Sequence, residues 1–308
     1  MKEVHVDTDF GGDIDDLCAV AMLLKYPNTK IVGITTVSDD KGKRAGYVNE
    51  ALKLAGVENV PVKAGADVTD GYYTIEFGLP VESDYWPNPV QASPSPTDEA
   101  LELLKSNIDR GVLIVGIGPY TNLFLLDQKY PGILKRANLF LMGGYIYPVR
   151  KGYPQWGNDF DWNIQVDQNS AKYVLENSNP VLVPLTVTVE TFLRRSYLEN
   201  LRLAGELCNL IARQAEAFAK EYENEEKIGK TSVNLPDDII NFQHDALAAA
   251  IALGWDDGIE MEDVPLKLEV TNGELVESID SGNKTFRIVT RIDGEKFSNH
   301  WFDILTSH

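Results

Sequence analysis

A chain of 308 residues that is 44% hydrophobic can fill a large core, which excludes a disordered polymer. Its 47 acidic against 28 basic side chains give a net charge of -19, which argues against partners that present rows of phosphate, whether nucleic acid polymers or anionic membranes. Cys18 and Cys208 are too few for a disulfide framework and read as reduced, buried thiols. No charged leader with an apolar core precedes the first strand pattern, and no apolar run is long enough to span a bilayer, so the expected location is the cytoplasm.

Val4 and Val6 flanking His5 suit a buried strand, and Leu17, Val20, Ala21, Leu23 and Leu24 recur at helical spacing. Between them stand Asp7, Asp9, Asp13, Asp15 and Asp16, five carboxylates in ten positions, on a strand-to-helix turn that Gly11 and Gly12 allow to be tight. Such a turn lies at the carboxyl end of a strand, where open parallel sheets place their ligands. One or two acids would serve as helix caps, but capping gives no role to Asp7 and Asp9. Crowded carboxylates raise one another's pKa unless a cation compensates, and a hard divalent ion, calcium or magnesium, is the economical expectation.

Residues 31–37 read as a second strand, Ala45, Val48, Ala51, Leu52 and Leu54 as a helix, and residues 60–62 as a short third strand. Residues 68–96 are rich in proline, glycine and aromatics, among them Tyr72, Tyr73, Phe77, Tyr85 and Trp86. A loop of that length inside a domain is usually a lid or binding loop. Its rings suit a flat ligand, and they suit packing of the loop onto the body equally well. Thr97 is a helix N-cap signal with Asp98 and Glu99 in the first turn. Residues 112–117 are nearly continuously apolar, the mark of a buried parallel strand, and end in Gly118, Pro119, Tyr120, Thr121 and Asn122. Residues 139–142, closed by Gly143 and Gly144, and residues 180–185 repeat the pattern, with a helical stretch at 170–175.

This alternation predicts one doubly wound, mostly parallel α/β sheet with right-handed crossovers, in a single domain spanning 1–308. Towards the C-terminus, residues 197–226 and 239–253 have helical patterns. Residues 266–270 and 285–292 alternate as a small antiparallel pair joined through Ser281, Gly282 and Asn283.

The opening acidic motif resembles that of the inosine-uridine preferring nucleoside hydrolases, and further segments agree in order and spacing. Gly118 to Asn122 looks like the family's Gly-Pro-Leu-Thr-Asn turn, and Leu141, Met142, Gly143, Gly144 like its Leu-Met-Gly-Gly strand end. Asp161, Trp162, Asn163 with Asp167 resembles its Glu-Phe-Asn segment with a later Asp, and His244, Asp245 its His-Asp helix start. The resemblance runs from Val4 to Leu253 and implies a nucleoside hydrolase-like fold, a nucleoside substrate and a homo-oligomer, dimer or tetramer.

Carried over position by position, it implies a calcium ion held by Asp9, Asp16, Asp245 and the backbone carbonyl of Ile117, with Asp7 in support. Asp15 would hold a ribose hydroxyl, and Asp40, Met142, Asn158, Asp161 and Asn163 match sugar-contacting positions. Asp9 would act as general base. His244 would protonate the departing base, a role that needs a pKa near neutrality.

The chemistry points the same way. Cleaving an N-glycosidic bond passes through an oxocarbenium-like state, which carboxylates stabilise more than the neutral ground state. The chain also departs from the family pattern. Phe10 stands where the family has proline, one extra residue adds Asp13, Asp161 replaces a glutamate, and Ser38, Asp39 and Asp40 replace a segment with a sugar-binding asparagine. The helix start after Asp16 favours Asp15 and Asp16 as the paired acids.

Two alternatives follow from the same residues. Asp7 and Asp9 would also serve a haloacid dehalogenase-type phosphatase, but that chemistry needs a lysine and a second acidic pair later in the chain, and Lys135 is not in a suitable turn and the Asp245 segment has the wrong character. The altered sugar contacts would suit a nucleoside-binding relative without turnover.

Overall fold

The computed structural model describes residues 1–67 and 79–307, and of Asp40 the backbone only. Its strands are β1 (Lys2–Thr8), β2 (Thr29–Thr36), β3 (Val62–Ala64), β4 (Leu113–Gly116), β5 (Asn138–Met142), β6 (Val181–Val183), β7 (Leu193–Arg194), β8 (Ile239–Asn241), β9 (Glu260–Thr271), β10 (Glu274–Ile279) and β11 (Thr285–Arg291). The helices are α1 (Asp15–Lys25), α2 (Lys43–Leu54), α3 (Glu82–Tyr85), α4 (Thr97–Asp109), α5 (Thr121–Lys129), α6 (Trp162–Gln165), α7 (Gln168–Asn177), α8 (Leu185–Thr188), α9 (Leu198–Leu203), α10 (Glu206–Tyr222), α11 (His244–Ala252) and α12 (Gly294–Thr306).

Nine strands form one sheet in the order β10-β9-β11-β6-β5-β4-β1-β2-β3, and β7 pairs with β8 alone. From β3 to β6, and on to β11, every pairing is parallel; β9 and β10 add an antiparallel edge. The expected doubly wound sheet is therefore present. Its strands are apolar on both sides because helices cover both faces. Val4 and Val6 join the core under α1 and α11, whereas Ile114, Leu139 and Leu141 join the one under α4, α5 and α7. No helix among the described residues is long and apolar enough to cross a membrane.

The strand order places the site. The chain winds from β1 through β2 to β3 on one side, and from β4 through β5 to β6 on the other. The turns after β1 and β4 therefore diverge, and a crevice opens at their carboxyl ends. Asp7 and Asp9 lie at the end of β1, and Ile117 follows β4.

Three expectations are corrected. The antiparallel pair of β9 and β11 is present, but residues 266–270 are not the part of β9 that makes it, because an Asn272–Gly273 hairpin turn, with φ of 54° and 84°, folds β10 back onto them and leaves β9 between β10 and β11. The 281–283 turn thus joins β10 to β11, and β9 reaches β11 through its first half, with Pro265 opposite Thr285. The helix expected over 197–226 is two, α9 and α10, interrupted at Gly205, a poor helix former. The helix expected from residue 239 begins only at His244, since residues 239–241 pair with β7.

Candidate active site

The acidic loop is built by short-range geometry. Gly11 has φ +105°, and a Cβ there would lie 2.5 Å from the ring of Tyr47, so the loop can lie flat on α2 only with glycine at this position. Asp15 and Asp16 fall in the first turn of α1, and Asp245 in the first turn of α11. The two helices pack on each other, so both positive helix ends meet the same carboxylates.

Asp15, Asp16 and Asp245 are buried, with one oxygen from each lying within 4.8 Å of the others. They line a cavity of about 500 Å³ with Asp9, Asp13, Ile117, Met142, Asn163 and His244. Burial, and then the charge of the neighbouring acids, pushes Asp15, Asp16 and Asp245 well above the usual carboxylate range. Burial raises Asp9 as well, against the Arg44 guanidinium and a hydrogen bond from Trp162, and holds Asp13 at about 6. Five carboxylates facing a single guanidinium among the described wall residues make an oxygen-only, electron-rich donor set, which fits a hard divalent cation.

Asp7 is buried beneath the cavity and absent from its wall. It accepts hydrogen bonds from Thr35 Oγ1 at 2.5 Å and Asn122 Nδ2 at 2.8 Å, and its carbonyl accepts from the Ile117 amide at 2.8 Å. Thr8 Oγ1 donates to Asp16, and Asn241 Nδ2 to the extra acid Asp13. Asn163 Nδ2 donates to the carbonyl and Sδ of Met142, at 3.3 and 3.2 Å.

Two proposed sugar contacts are turned elsewhere. Asp161 is fully buried and accepts from the Gly144 amide, since the shorter acid stays with the loop that it caps. Asn158 donates to the Leu275 carbonyl at 2.9 Å and to Glu274 at 3.3 Å, which spends its amide on the sheet edge. Neither lines the cavity. The side chain of Asp40 lies outside the described residues. Lys135 is exposed and off the cavity wall.

His244 is on the wall, but its surroundings differ from those an acid needs. Nδ1 lies 2.6 Å from Thr188 Oγ1, and the ring sits beside Phe242 and Trp156, with centroids 5.3 and 6.5 Å away. Burial pushes its pKa down to about 3, so the imidazole is neutral at physiological pH and lacks the near-neutral value expected of it.

The sequence reading missed most of the apolar wall. Trp156 stacks on Phe160 at 5.1 Å, and Phe218 stacks on Tyr222 at 4.2 Å. Tyr222 also lines the cavity, and Trp162 stands there 40% exposed. Phe218 packs in the core from α10 and reaches the wall from there, and nothing local in the sequence marked Trp156 or Phe160 as wall residues. Tyr85 and Trp86 pack the 79–96 segment onto the body instead. Tyr85 donates to Glu221 at 2.7 Å, and Trp86 stacks on Tyr47 at 4.8 Å. Tyr72, Tyr73 and Phe77 lie outside the described residues.

Asp161 has a buried neighbour, Glu277 of β10. One oxygen of each has no hydrogen-bond partner among the described residues. Burial, and then the Asp161 charge, raises Glu277 to about 8, and burial raises Asp161 to about 7. Groups raised in the folded state favour folding at low pH, and that contribution is lost as pH rises through the folded values, here up to about 8. Glu277→Gln removes the cost and supplies an N–H donor. Its Tm should exceed that of the unsubstituted protein by about 3 °C or more at pH 8.5, and the gap should close towards pH 5. A gap that stays constant from pH 5 to 8.5 would refute the buried acid pair.

The chain is 28% identical to the pyrimidine-specific ribonucleoside hydrolase RihA of Citrobacter koseri, over 72% of this chain and 73% of that one. The protein of the same name from Salmonella schwarzengrund is 28% identical over 76% of each. Among solved structures, the plant nucleoside hydrolase PpNRh1 superimposes with a TM-score of 0.79 at 18% identity, covering 100% of this chain and 99% of the other. The purine-preferring ribonucleoside hydrolase from Gardnerella vaginalis does so with a TM-score of 0.79 at 19% identity, covering 99% and 98%. The sequence profile described as inosine-uridine preferring nucleoside hydrolase matches residues 4–299, and the chain belongs to that family of enzymes, which hydrolyse the N-glycosidic bonds of ribonucleosides.

Proposed function

We propose that the cavity binds a ribonucleoside with its ribose over the acidic cluster and hydrolyses the bond to the base with Asp9 as general base. The observation that carries this reading is the convergence of Asp9, Asp15, Asp16 and Asp245 in one cavity that also presents aromatic rings. The proposed ligands of a calcium ion are Asp9, Asp16, Asp245 and the Ile117 carbonyl, with Asp15 close enough to Asp16 and Asp245 to share in the site. When bound, such an ion supplies a grip on vicinal hydroxyls and a fixed water.

The chain's own residues do the rest. Asp9 takes a proton from the attacking water as the water oxygen bonds to the anomeric carbon and the bond to the base nitrogen breaks, the base leaving with the bonding electron pair and gaining its proton from solvent. The cluster's negative charge stabilises the positive charge that develops on the ribose ring. Asp15 accepts from a ribose hydroxyl, and Asn163 with Met142 holds the other end of the sugar. Trp156, Phe160 and Tyr222 offer faces for the base, and His244, neutral, is a hydrogen-bond partner for it.

Steady-state rates on inosine, uridine and cytidine and on their 2'-deoxy forms test this reading. Ribonucleosides should release free base and ribose. Each deoxy form should be slower by about a hundredfold or more, because Asp15 loses its partner in a desolvated site. Equal efficiency with and without the 2'-hydroxyl would overturn the sugar grip, and tight binding of every ribonucleoside without turnover would leave a binding protein instead.

A further inference from the structure

The loop that carries Asp9 is one residue longer than the family pattern and has Phe10 where that pattern has proline. Proline fixes φ near -65°, so its loss removes a local restraint on the residue that follows Asp9. Another group supplies a restraint from outside the loop. Arg44, in the first turn of α2, is 2% exposed and spends its guanidinium on backbone. Nη1 donates to the carbonyl of Asp9 and, at 3.3 Å, to that of Phe10, while Nε donates to the Ser38 carbonyl at 2.8 Å.

The arginine is itself held. Asp39 accepts from the Arg44 amide at 2.8 Å through Oδ1, and from the Ala45 amide at 3.0 Å and Thr36 Oγ1 at 2.7 Å through Oδ2. Thus β2, α2 and the acidic loop are tied through one Asp39–Arg44 unit. Tyr47, three residues on and on the same face of α2, closes over Gly11, and Phe10 anchors the loop in the core. Arg44 also borders the cavity, where its charge lies near the Asp9 and Asp16 carboxylates.

We infer that Arg44 is a positioning residue for Asp9: its forked grip on the Asp9, Phe10 and Ser38 carbonyls sets where the catalytic carboxylate stands. The inference rests on Asp9 being the base. A general base acts only within hydrogen-bond reach of its water, so a displacement of about 1 Å costs far more rate than binding. Lysine keeps the charge, but its single nitrogen cannot stand at once where Nε meets the Ser38 carbonyl and where Nη1 meets the Asp9 and Phe10 carbonyls, so Arg44→Lys is not conservative here.

The test compares kcat and KM at saturating calcium for Arg44→Ala, Arg44→Lys, Asp9→Asn and Arg44→Ala with Asp9→Asn. Arg44→Ala should lower kcat by about thirtyfold or more with KM within about threefold, and Arg44→Lys by about tenfold or more. Added methylguanidinium should recover part of the Arg44→Ala loss with a saturating dependence, which a general loss of structure would not allow. In the Asp9→Asn background, Arg44→Ala should cost less than about twofold more, since the residue it places is already disabled. An Arg44→Lys variant with unreduced kcat, or an undiminished penalty in the Asp9→Asn background, would overturn the inference; the lysine variant decides the matter if the alanine variant does not fold. Asp9→Asn retaining activity within about tenfold would instead remove the general base itself and this inference with it.

Discussion

Asp9→Asn is expected to lower kcat on ribonucleosides by about two orders of magnitude or more, the usual contribution of a positioned general base. The amide keeps the volume and the Trp162 hydrogen bond but cannot accept the water's proton. Folding should not suffer. Burial raises the Asp9 pKa, so the charged form costs stability, and removing one of five crowded carboxylates relieves its neighbours Asp15, Asp16 and Asp245. Thermal unfolding at pH 8 in chelator should therefore give an Asp9→Asn Tm equal to or above that of the parent. A variant that loses Tm and kcat together would point to a structural role, and one active within about tenfold would end the assignment.

The second large effect is the response to divalent metal. Without an ion, five carboxylates share one cavity, and two positive helix ends and Arg44 compensate them only in part. The sign of the pH dependence follows from the raised values. Asp13 and Asp7 stand at about 6 and about 7, so the metal-free protein loses stability as pH rises from the ordinary carboxylate range through those values. An ion that binds only the folded state reverses the loss, by about 2.7 kcal/mol at a hundred times its Kd. For a chain of this size that is a rise in Tm of about 4 °C, larger at pH 8 than at pH 5. Differential scanning calorimetry in chelator, calcium, magnesium and zinc measures it. No rise with either hard ion, or a rise with zinc alone, would contradict the oxygen-donor site.

Much of this was legible in the chain itself, for a physical reason. A βα turn forms from contiguous residues, so Asp7, Asp9, Asp15 and Asp16 had to sit together once Val4 and Val6 were in a strand and Leu17, Val20 and Ala21 on a helix. The parallel order was legible too, because strands of continuous apolar residues need cover on both faces. Element boundaries were less so where the pattern fitted two structures. Ile239 to Asn241 are apolar enough to begin a helix, and only β7, some 45 residues earlier, makes them a strand. The Asn272–Gly273 turn, by contrast, was a local signal that could have been read.

What the tertiary structure decided is which side chains meet. Asp245 lies 229 positions from Asp16, yet one oxygen of each falls within the same 4.8 Å, because α1 and α11 pack side by side at the switch in strand order. Sequence alone could not show that Asp161 and Asn158 turn from the cavity to the Gly144 amide and the β10 edge, or that burial leaves His244 neutral. Nor could it show Arg44 reaching back to the Asp9 carbonyl. Residue type and spacing determine the local turns and the chemistry they can offer. Desolvation, and hydrogen bonds between residues distant in sequence, depend on the packed surroundings, and these settle which of the offered groups face the ligand and in what charge state.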